Sequence, residues 1–544
     1  MNIENLLKEK LVNALNSLGL EVNVSDIVIE TSKSPIHGDY ATNCALKFAS
    51  RLKKSPRDFA QEIVGILEKS GIEKIEIAGP GFINFFLEKT TIGSVVKKVI
   101  AEGDNYGRAE KKNKKINVEF VSANPTGDLH LGHARIAAVG DSICRLYDFA
   151  GFDVTREYYV NNAGNQINTL GLSLSIRYHQ AFGEDVELPE DSYHAQDIVD
   201  IAASLKAKYG DKLLSETKEN FDFITNYGME EELNKIWRDL DLYRVHFDVV
   251  TLETDIRKND HVKHVLEEKY SKYSYVDDGA IFLKTSDFLD DKDRCVVKKD
   301  GSYTYMMPDI AYHLNKLNRG YDLLIDVLGA DHHGYINRMK SALMMQGYSS
   351  DVLEIELIQI VRLIQGGKEV RMSKRTGAGI SLRELCEEVG VDATRYFFVS
   401  RAGSAHLDFD LDVALQKNSS NPVYYAQYAH ARLCKVLSLA KEKGINIDEN
   451  ATSLSDSKYE IDLLKCINDF PKTVESAAIK RAPYMMANFI QSLASAIHAF
   501  YTECRLIDES NLSLTSSRLA LAKAGSITMK NALNLIGVSA PENM

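Results

Sequence analysis

The hydrophobic pattern changes period several times along the chain, and each change marks an expected element. Apolar residues recur at helical spacing over Ile3–Leu18 and again over Ala41–Leu67. Ile27–Glu30 and Ile75–Ile77 read as strands, and Ile77 through Gly79-Pro80-Gly81 to Phe86 reads as a turn followed by a buried strand. Together these predict a small α+β unit over residues 1–100, followed by a polar, lysine-rich linker, 101–115. Ile116–Val121 is a β-rich run, and Ser122–Asp128 is a loop set by Asn124-Pro125 and Gly127. Helical periodicity then carries Ala134, Ala137, Ala138, Ile143 and Leu146 until Gly151.

A strand, a glycine-bearing turn and a helix form the front half of a parallel α/β unit, whose ligands bind at the strand end. His130-Leu131-Gly132-His133 opens the helix, where backbone N–H groups favour an anion, so this stretch reads as a nucleotide site. The unit is expected to span 116–384, interrupted by a helical insertion over about 170–260. Trp237, the single tryptophan, sits in that insertion on a charged amphipathic helix (Glu230–Leu242) and reads as core. Leu323–Leu328 is a second strand-like run, opening into Gly329-Ala330-Asp331-His332-His333-Gly334. Leu357–Leu363 is a third, ending at Gln365-Gly366-Gly367. A connecting helical segment (385–420) and a helical bundle (421–544) complete the chain.

With 544 residues, 44% hydrophobic and 26% charged, the composition is that of a globular protein of several domains. The seven cysteines stand singly, without a CxxC pair, which argues for a reducing compartment and against a zinc ribbon or a disulfide framework. No segment approaches 18 uninterrupted apolar residues and the first residues carry no signal-peptide pattern, so no membrane association and a cytoplasmic location are expected. The net charge of −12 neither supports nor excludes a nucleic-acid partner, because binding needs only a local basic surface. Lys111-Lys112-Asn113-Lys114-Lys115 is such a run, equally readable as a solvated linker. No GxxxxGK[ST] loop occurs, which counts against a P-loop kinase or ATPase.

His130-Leu131-Gly132-His133 resembles the HIGH signature of class I aminoacyl-tRNA synthetases, and Arg371-Met372-Ser373-Lys374-Arg375 resembles their KMSKS signature, in the expected order. The string from Val118-Glu119-Phe120 through Gly132-His133, continuing to Asn161-Asn162-Ala163-Gly164, is similar to the catalytic opening of arginyl-tRNA synthetases, and the likeness runs over nearly the whole chain. It implies a Rossmann-like catalytic domain, a small N-terminal domain (including His37-Gly38-Asp39-Tyr40) that contacts the tRNA elbow, and an all-helical anticodon-binding bundle. The implied activity is ATP-dependent, Mg²⁺-assisted ligation of L-arginine to tRNA(Arg) by a monomer. By this resemblance His130, Gly132, His133, Ser373 and Lys374 are catalytic. Ala123, Asn124, Pro125, Thr126, Gly127, Leu131, Arg371, Met372, Asp331 and His333 border ATP. Glu119, Asn124, Tyr305 and Asp309 hold arginine, and Tyr424, Tyr428 and Arg432 meet tRNA.

Open alternatives remain on the residues themselves. Asp309 suits a guanidinium, which pairs best with a carboxylate; a helix N-cap before Ile310 is the alternative, and the two roles need not exclude each other. Arg371 stands where the signature has its first lysine, keeping the charge but not the ammonium shape. Some of the tyrosines in Tyr424–Tyr428 must be core at helical spacing. Asp331-His332-His333 lacks a third spaced ligand, so no intrinsic metal site is expected.

Overall fold

The computed structural model describes residues 3–32, 37–370, 379–455 and 457–544. Helix α1 (Ile3–Ser17) buries Leu7, Leu11, Ala14 and Leu15 as one apolar stripe. It is followed by strands β1 (Ile29–Thr31) and β2 (Tyr40–Thr42), then helices α2 (Cys44–Phe48) and α3 (Pro56–Ile66), strands β3 (Ile72–Ala78) and β4 (Phe82–Leu87), and helix α4 (Lys89–Glu102). The four strands form an antiparallel sheet in the order β1-β2-β4-β3. The helix expected over Ala41–Leu67 is therefore broken. Lys53 turns left-handed (φ 55°), and the residue before Pro56 cannot stay helical. Ser55 restarts the helix by accepting a cap bond from the Asp58 N–H at 3.2 Å.

The segment expected as a loose linker is anchored: Tyr106 is buried and its hydroxyl donates to the Ile467 carbonyl (2.9 Å). Beyond it lie β5 (Lys115–Phe120), α5 (Leu131–Phe149), β6 (Asp153–Val160), α6 (Asn165–Ala181), α7 (Gln196–Tyr209), α8 (Lys218–Leu242) and β7 (Val249–Leu252). A subdomain follows, with α9 (Glu253–Arg257), α10 (His261–Lys269), and an antiparallel sheet of β8 (Ser274–Asp277), β9 (Ala280–Leu283) and β10 (Arg294–Val297). Then come α11 (Met306–Asn318), β11 (Leu323–Gly329), α12 (Tyr335–Met345) and β12 (Leu353–Ile358).

The central sheet is wholly parallel, in the order β12-β11-β5-β6-β7. Because Val249–Leu252 is one of its strands, the helical insertion ends at Leu242 rather than near 260. Helix α5 lies close on the sheet, and Gly140 permits it: a Cβ there would sit 2.4 Å from the Phe120 ring. Trp237 is half-buried and packs against the core, with Tyr158 and Phe247 at centroid distances of 4.7 and 6.2 Å.

Leu357–Leu363 divides between two sheets. Its first residues end β12, and its last belong to β13 (Val361–Gln365), which pairs with β14 (Lys368–Glu369) and later with β15. After α13 (Leu382–Val389) and α14 (Val391–Val399), the supposedly all-helical connector supplies β15 (Leu407–Asp410), parallel to β13, and the short α15 (Leu411–Ala414). The bundle comprises α16 (Pro422–Glu442), α17 (Lys458–Ile479), α18 (Tyr484–Glu503) and α19 (Leu512–Leu535). Helix α17 also seats the N-terminal domain, through Asn468 donating to the Tyr40 hydroxyl (2.9 Å) and Lys472 paired with Glu4 (2.9 Å). Arg395 locks bundle to catalytic domain from a fully buried position. Its guanidinium donates to the Tyr243 carbonyl (2.9 Å), the Ile536 carbonyl (3.1 Å) and Asp141 (2.5 Å). Among the described residues no helix is long and apolar enough to cross a membrane.

Within the helical insertion, Glu232 is completely buried and neither carboxylate oxygen has a partner among the described residues. Burial, aided by the Asp197 carboxylate, pushes its carboxyl up from 4.5 to about 7. A raised folded-state value means that stability falls as pH climbs from 4.5 through 7, by up to about 3 kcal/mol. Glu232→Gln is therefore expected to raise the melting temperature at pH 8 and leave it nearly unchanged at pH 5. An equal shift at both pH values in paired thermal melts would contradict the buried-charge account.

Candidate active site

Directly after β5 the backbone turns through two non-glycine residues at positive φ, Val121 (70°) and Ser122 (40°). Such a pair is held only where surrounding contacts compensate, since each left-handed residue costs about 1–2 kcal/mol. Here the Ser122 hydroxyl donates to Glu119 (3.0 Å) and accepts from the Tyr159 N–H (3.0 Å), while the Tyr158 hydroxyl donates to the Ala123 carbonyl (2.7 Å). The loop thus leaves the sheet edge on a fixed course. Ala123 and Pro125 are buried, and Asn124, Thr126 and Gly127 half-buried. Asn124 donates to Gln166 on α6 (2.5 Å).

His130 is the N-cap of α5. Its Nδ1 accepts from the backbone N–H groups of Gly132 (3.0 Å) and His133 (3.3 Å). The imidazole therefore occupies donors that the sequence reading had left open for an anion, and its Nε2 carries the proton. Gly132 has a local reason as well: a Cβ would lie 2.8 Å from the His130 ring. The two imidazoles stack at 3.7 Å with planes 17° apart. Burial pushes both toward neutrality, His133 down to about 4 with help from neighbouring His130. His133 Nδ1 is buried without a partner among the described residues. The pair thus presents neutral N–H donors rather than a double positive charge, beside Leu131, which is half-buried against the core.

Helix α11 covers the neighbouring strands. Its N-cap is Tyr305, so Asp309 is not a cap but lies one turn inside, removing that alternative. Tyr305 is 86% exposed. Asp309 is half-buried; burial pushes its carboxyl up, against the pull of His313 and the Tyr335 hydroxyl. One turn further His313 bonds Asp326 of β11 at 2.8 Å, and Lys316, fully buried, lies 2.5 Å from Glu119 and 3.2 Å from Asp326. Burial pushes Glu119 up while Lys316 pulls it down; Lys316 and His313 hold Asp326 ionised despite its burial. Glu119 is thus engaged by a protein cation beneath the site, with 8% of its surface exposed.

This ionic floor was missed in the sequence reading. Its signal was present: Asp309, His313 and Lys316 share one helical face, and Asp326 interrupts the apolar run Leu323–Leu328. Asp331 and His333 follow β11, neighbour of β5 in the sheet, and both are exposed. The two loops therefore leave the same carboxyl edge of adjacent parallel strands. Among the described residues no three His, Cys, Asp or Glu side chains gather as a metal cage. Arg371, Met372, Ser373 and Lys374 lie outside the described residues.

On the bundle, Tyr424 and Tyr428 stack at 5.9 Å, and the Arg432 guanidinium lies 4.6 Å from Tyr428 and 4.7 Å from Tyr501. A cleft of about 520 Å³ opens beside them, lined also by Lys435, Glu542 and Met544. Tyr425 instead turns toward the bundle, packing against His498 at 4.4 Å.

Three family models match in succession: the arginyl tRNA synthetase N terminal domain over 5–87, the class I (R) tRNA synthetase catalytic domain over 95–400, and the DALR anticodon binding domain over 426–544. The arginine–tRNA ligase of Bacillus pumilus (strain SAFR-032) is 49% identical over 551 residues, covering 100% of this chain and 99% of its own. That of Bacillus subtilis (strain 168) is 48% identical over 550 residues, again covering 100% and 99%. A crystal structure described as an arginyl-tRNA synthetase of Campylobacter jejuni superposes with a TM-score of 0.78 at 35% identity, over 84% of this chain and 100% of that one. The Thermus thermophilus arginyl-tRNA synthetase shares the fold, with a TM-score of 0.75 at 21% identity over 99% of both chains. From the histidine-bearing loop to the helical bundle, the chain belongs to the arginyl-tRNA synthetases of class I.

Proposed function

We propose that the protein activates L-arginine with ATP and transfers it to the terminal ribose of tRNA(Arg), working as a cytoplasmic monomer. The observation that carries the reading is the half-buried Asp309, whose carboxylate lies 4.0 Å from His313 one turn along the same helix, at the sheet edge that also carries His130 and His133. In the first step an arginine carboxylate oxygen attacks the α-phosphorus, and pyrophosphate departs. The chemistry asks mainly for positioning and for donors where phosphate charge grows.

Neutral His130 and His133 supply such N–H donors, and Ser373 and Lys374 are assigned to the departing pyrophosphate, with Arg371 and Met372 beside them. Ala123 through Gly127, Leu131, Asp331 and His333 are assigned to the nucleotide. Asp309 and Tyr305 take the guanidinium; Asn124 and Glu119 take the α-amino and carboxyl end, Glu119 with its charge balanced by Lys316. Mg²⁺ is expected to arrive on the nucleotide, held by phosphates and water. In the second step the ribose hydroxyl attacks the carbonyl carbon of arginyl-adenylate and AMP leaves. Tyr424, Tyr428 and Arg432 offer stacking surfaces for unpaired tRNA bases, and the N-terminal domain is assigned to the elbow.

Charging of matched total tRNA with each of the twenty amino acids, in ATP and Mg²⁺, tests the reading. Arginine alone is expected to be esterified, and Lys374→Ala is expected to lower the rate at least about 100-fold, the scale of one lost transition-state charge contact. Charging with another amino acid would overturn the pocket assignment, and tRNA binding without charging would overturn the activity.

A further inference from the structure

Glu232, Lys235 and Asp239 fall three and four residues apart, on one face of the insertion helix α8. That face is turned toward the active-site loops. Lys235 Nζ lies 2.7 Å from Asp128 Oδ1 and 2.9 Å from Asp197 Oδ2 on α7. Asp239, 1% exposed, accepts from Arg383 Nε at 2.7 Å. Asp128 stands two residues before His130, and Arg383 two residues after Ser381, the N-cap of α13. The two contacted segments are themselves joined: the Leu382 N–H donates to the Leu129 carbonyl (2.7 Å), and His130 pairs with Ser381 in an isolated antiparallel bridge. Ser381 is fixed in turn by a capping box with Glu384.

We propose that Lys235 and Asp239 are positioning residues for adenylate formation: from one helical face they pin the His130 loop through Asp128 and the start of α13 through Arg383. The registration matters because α13 follows, within a few residues, the stretch that resembles the second signature, while Asp128 leads into the first. Two short backbone links alone leave the pair free to hinge about the bridge. Two ion pairs 6 Å apart along a helix axis, four residues at about 1.5 Å each, remove that freedom. The pairs have unequal surroundings. Burial would discharge Lys235, but Asp128 and Asp197 hold it protonated; burial raises Asp239, and Arg383 opposes the rise. Neither residue is placed to touch substrate, so both act through the segments they hold.

The inference rests on the adenylating activity proposed above, and its test has one arm that does not. In the full-length protein with tRNA bound, Lys235→Ala and Asp128→Asn are each expected to lower kcat for arginine-dependent ATP–pyrophosphate exchange about 5- to 20-fold, with KM for arginine within 2-fold. The double variant should be no slower than the slower single one, and Lys235→Arg should restore most of the rate. Asp128 is half-exposed, so its asparagine variant keeps the fold even if Lys235→Ala does not. Independently of activity, hydrogen exchange over 127–133 and 379–384 should rise in both variants while the central sheet stays protected. Additive losses, unchanged kcat with normal exchange, or a loss seen only in KM would overturn the proposal. A wild-type protein that fails to charge arginine would instead sink the functional reading, and the exchange arm would still judge the clamp.

Discussion

Asp309→Asn is expected to lower kcat/KM for arginine by about 10³-fold while leaving the fold intact. The carboxylate offers two acceptor oxygens to a planar cation; the amide replaces one with an NH₂ aimed at the guanidinium's own donors. A site built around a polar group of the substrate loses several kcal/mol when that match is broken, which is the scale of the predicted loss. Folding tolerates the change because Asp309 does not cap α11: the N-cap is Tyr305, and the lost first-turn charge is worth about 0.3–1 kcal/mol. Discrimination should move too, with citrulline, the neutral analogue, losing far less than arginine. Since burial raises the Asp309 carboxyl, a proton persists on it to higher pH than on an ordinary aspartate, and the acid limb of wild-type kcat/KM should lie above the usual aspartate range. Steady-state exchange assays across pH check all three expectations. Retention of arginine activity within 10-fold would remove Asp309 from guanidinium recognition.

The second substitution strikes beneath the same site. Lys316→Met leaves Glu119 and Asp326 buried without their shared cation, and breaking a buried pair in this way costs about 3–5 kcal/mol. The melting temperature should fall by more than about 5 °C, and arginine activation should fall with it because Glu119 is no longer held. The informative control is the neutral triple variant, Lys316→Met with Glu119→Gln and Asp326→Asn. It removes the uncompensated charges along with the cation, so stability should largely return while activity does not. Recovery of both would show that the network only holds the fold. Recovery of neither would show that packing of the lysine stem, rather than charge, matters here.

The sequence disclosed local features well and pairings between distant segments poorly. The strand-loop-helix around His130 was legible because its periodicity and breakers are contiguous, and the parallel class of the sheet followed from it. The edge strand Val249–Leu252 was not, because four residues with one half-exposed face carry too little pattern to separate them from the helices before them. The broken helix over Ala41–Leu67 was readable in principle from Ser55-Pro56, a capped restart that the longer apolar periodicity concealed. For the proposed site, residue types single out Asp309 and the two histidines as candidates. Which neighbouring donors His130 consumes depends on a ring orientation that residue types do not state, and that Glu119 shares a buried lysine depends on segments about 200 residues apart meeting in space. Periodicity contains no information about such meetings, although a charged residue inside an apolar strand, as at Asp326, announces that one must occur.

Arg395 also sets an order of events during synthesis. Asp141 and Tyr243 are made long before it, but the Ile536 carbonyl, with the close-set Gly537 that has no room for a Cβ against the guanidinium, lies 141 residues beyond it. Domains of a nascent chain generally condense as they emerge, amino-terminal first. This one cannot enclose its buried arginine until the segment around Ile536 and Gly537 has left the ribosome. A chain cut short before residue 536 is therefore left with an ionic seam open to water, a form that chaperones and proteases can distinguish from the finished product.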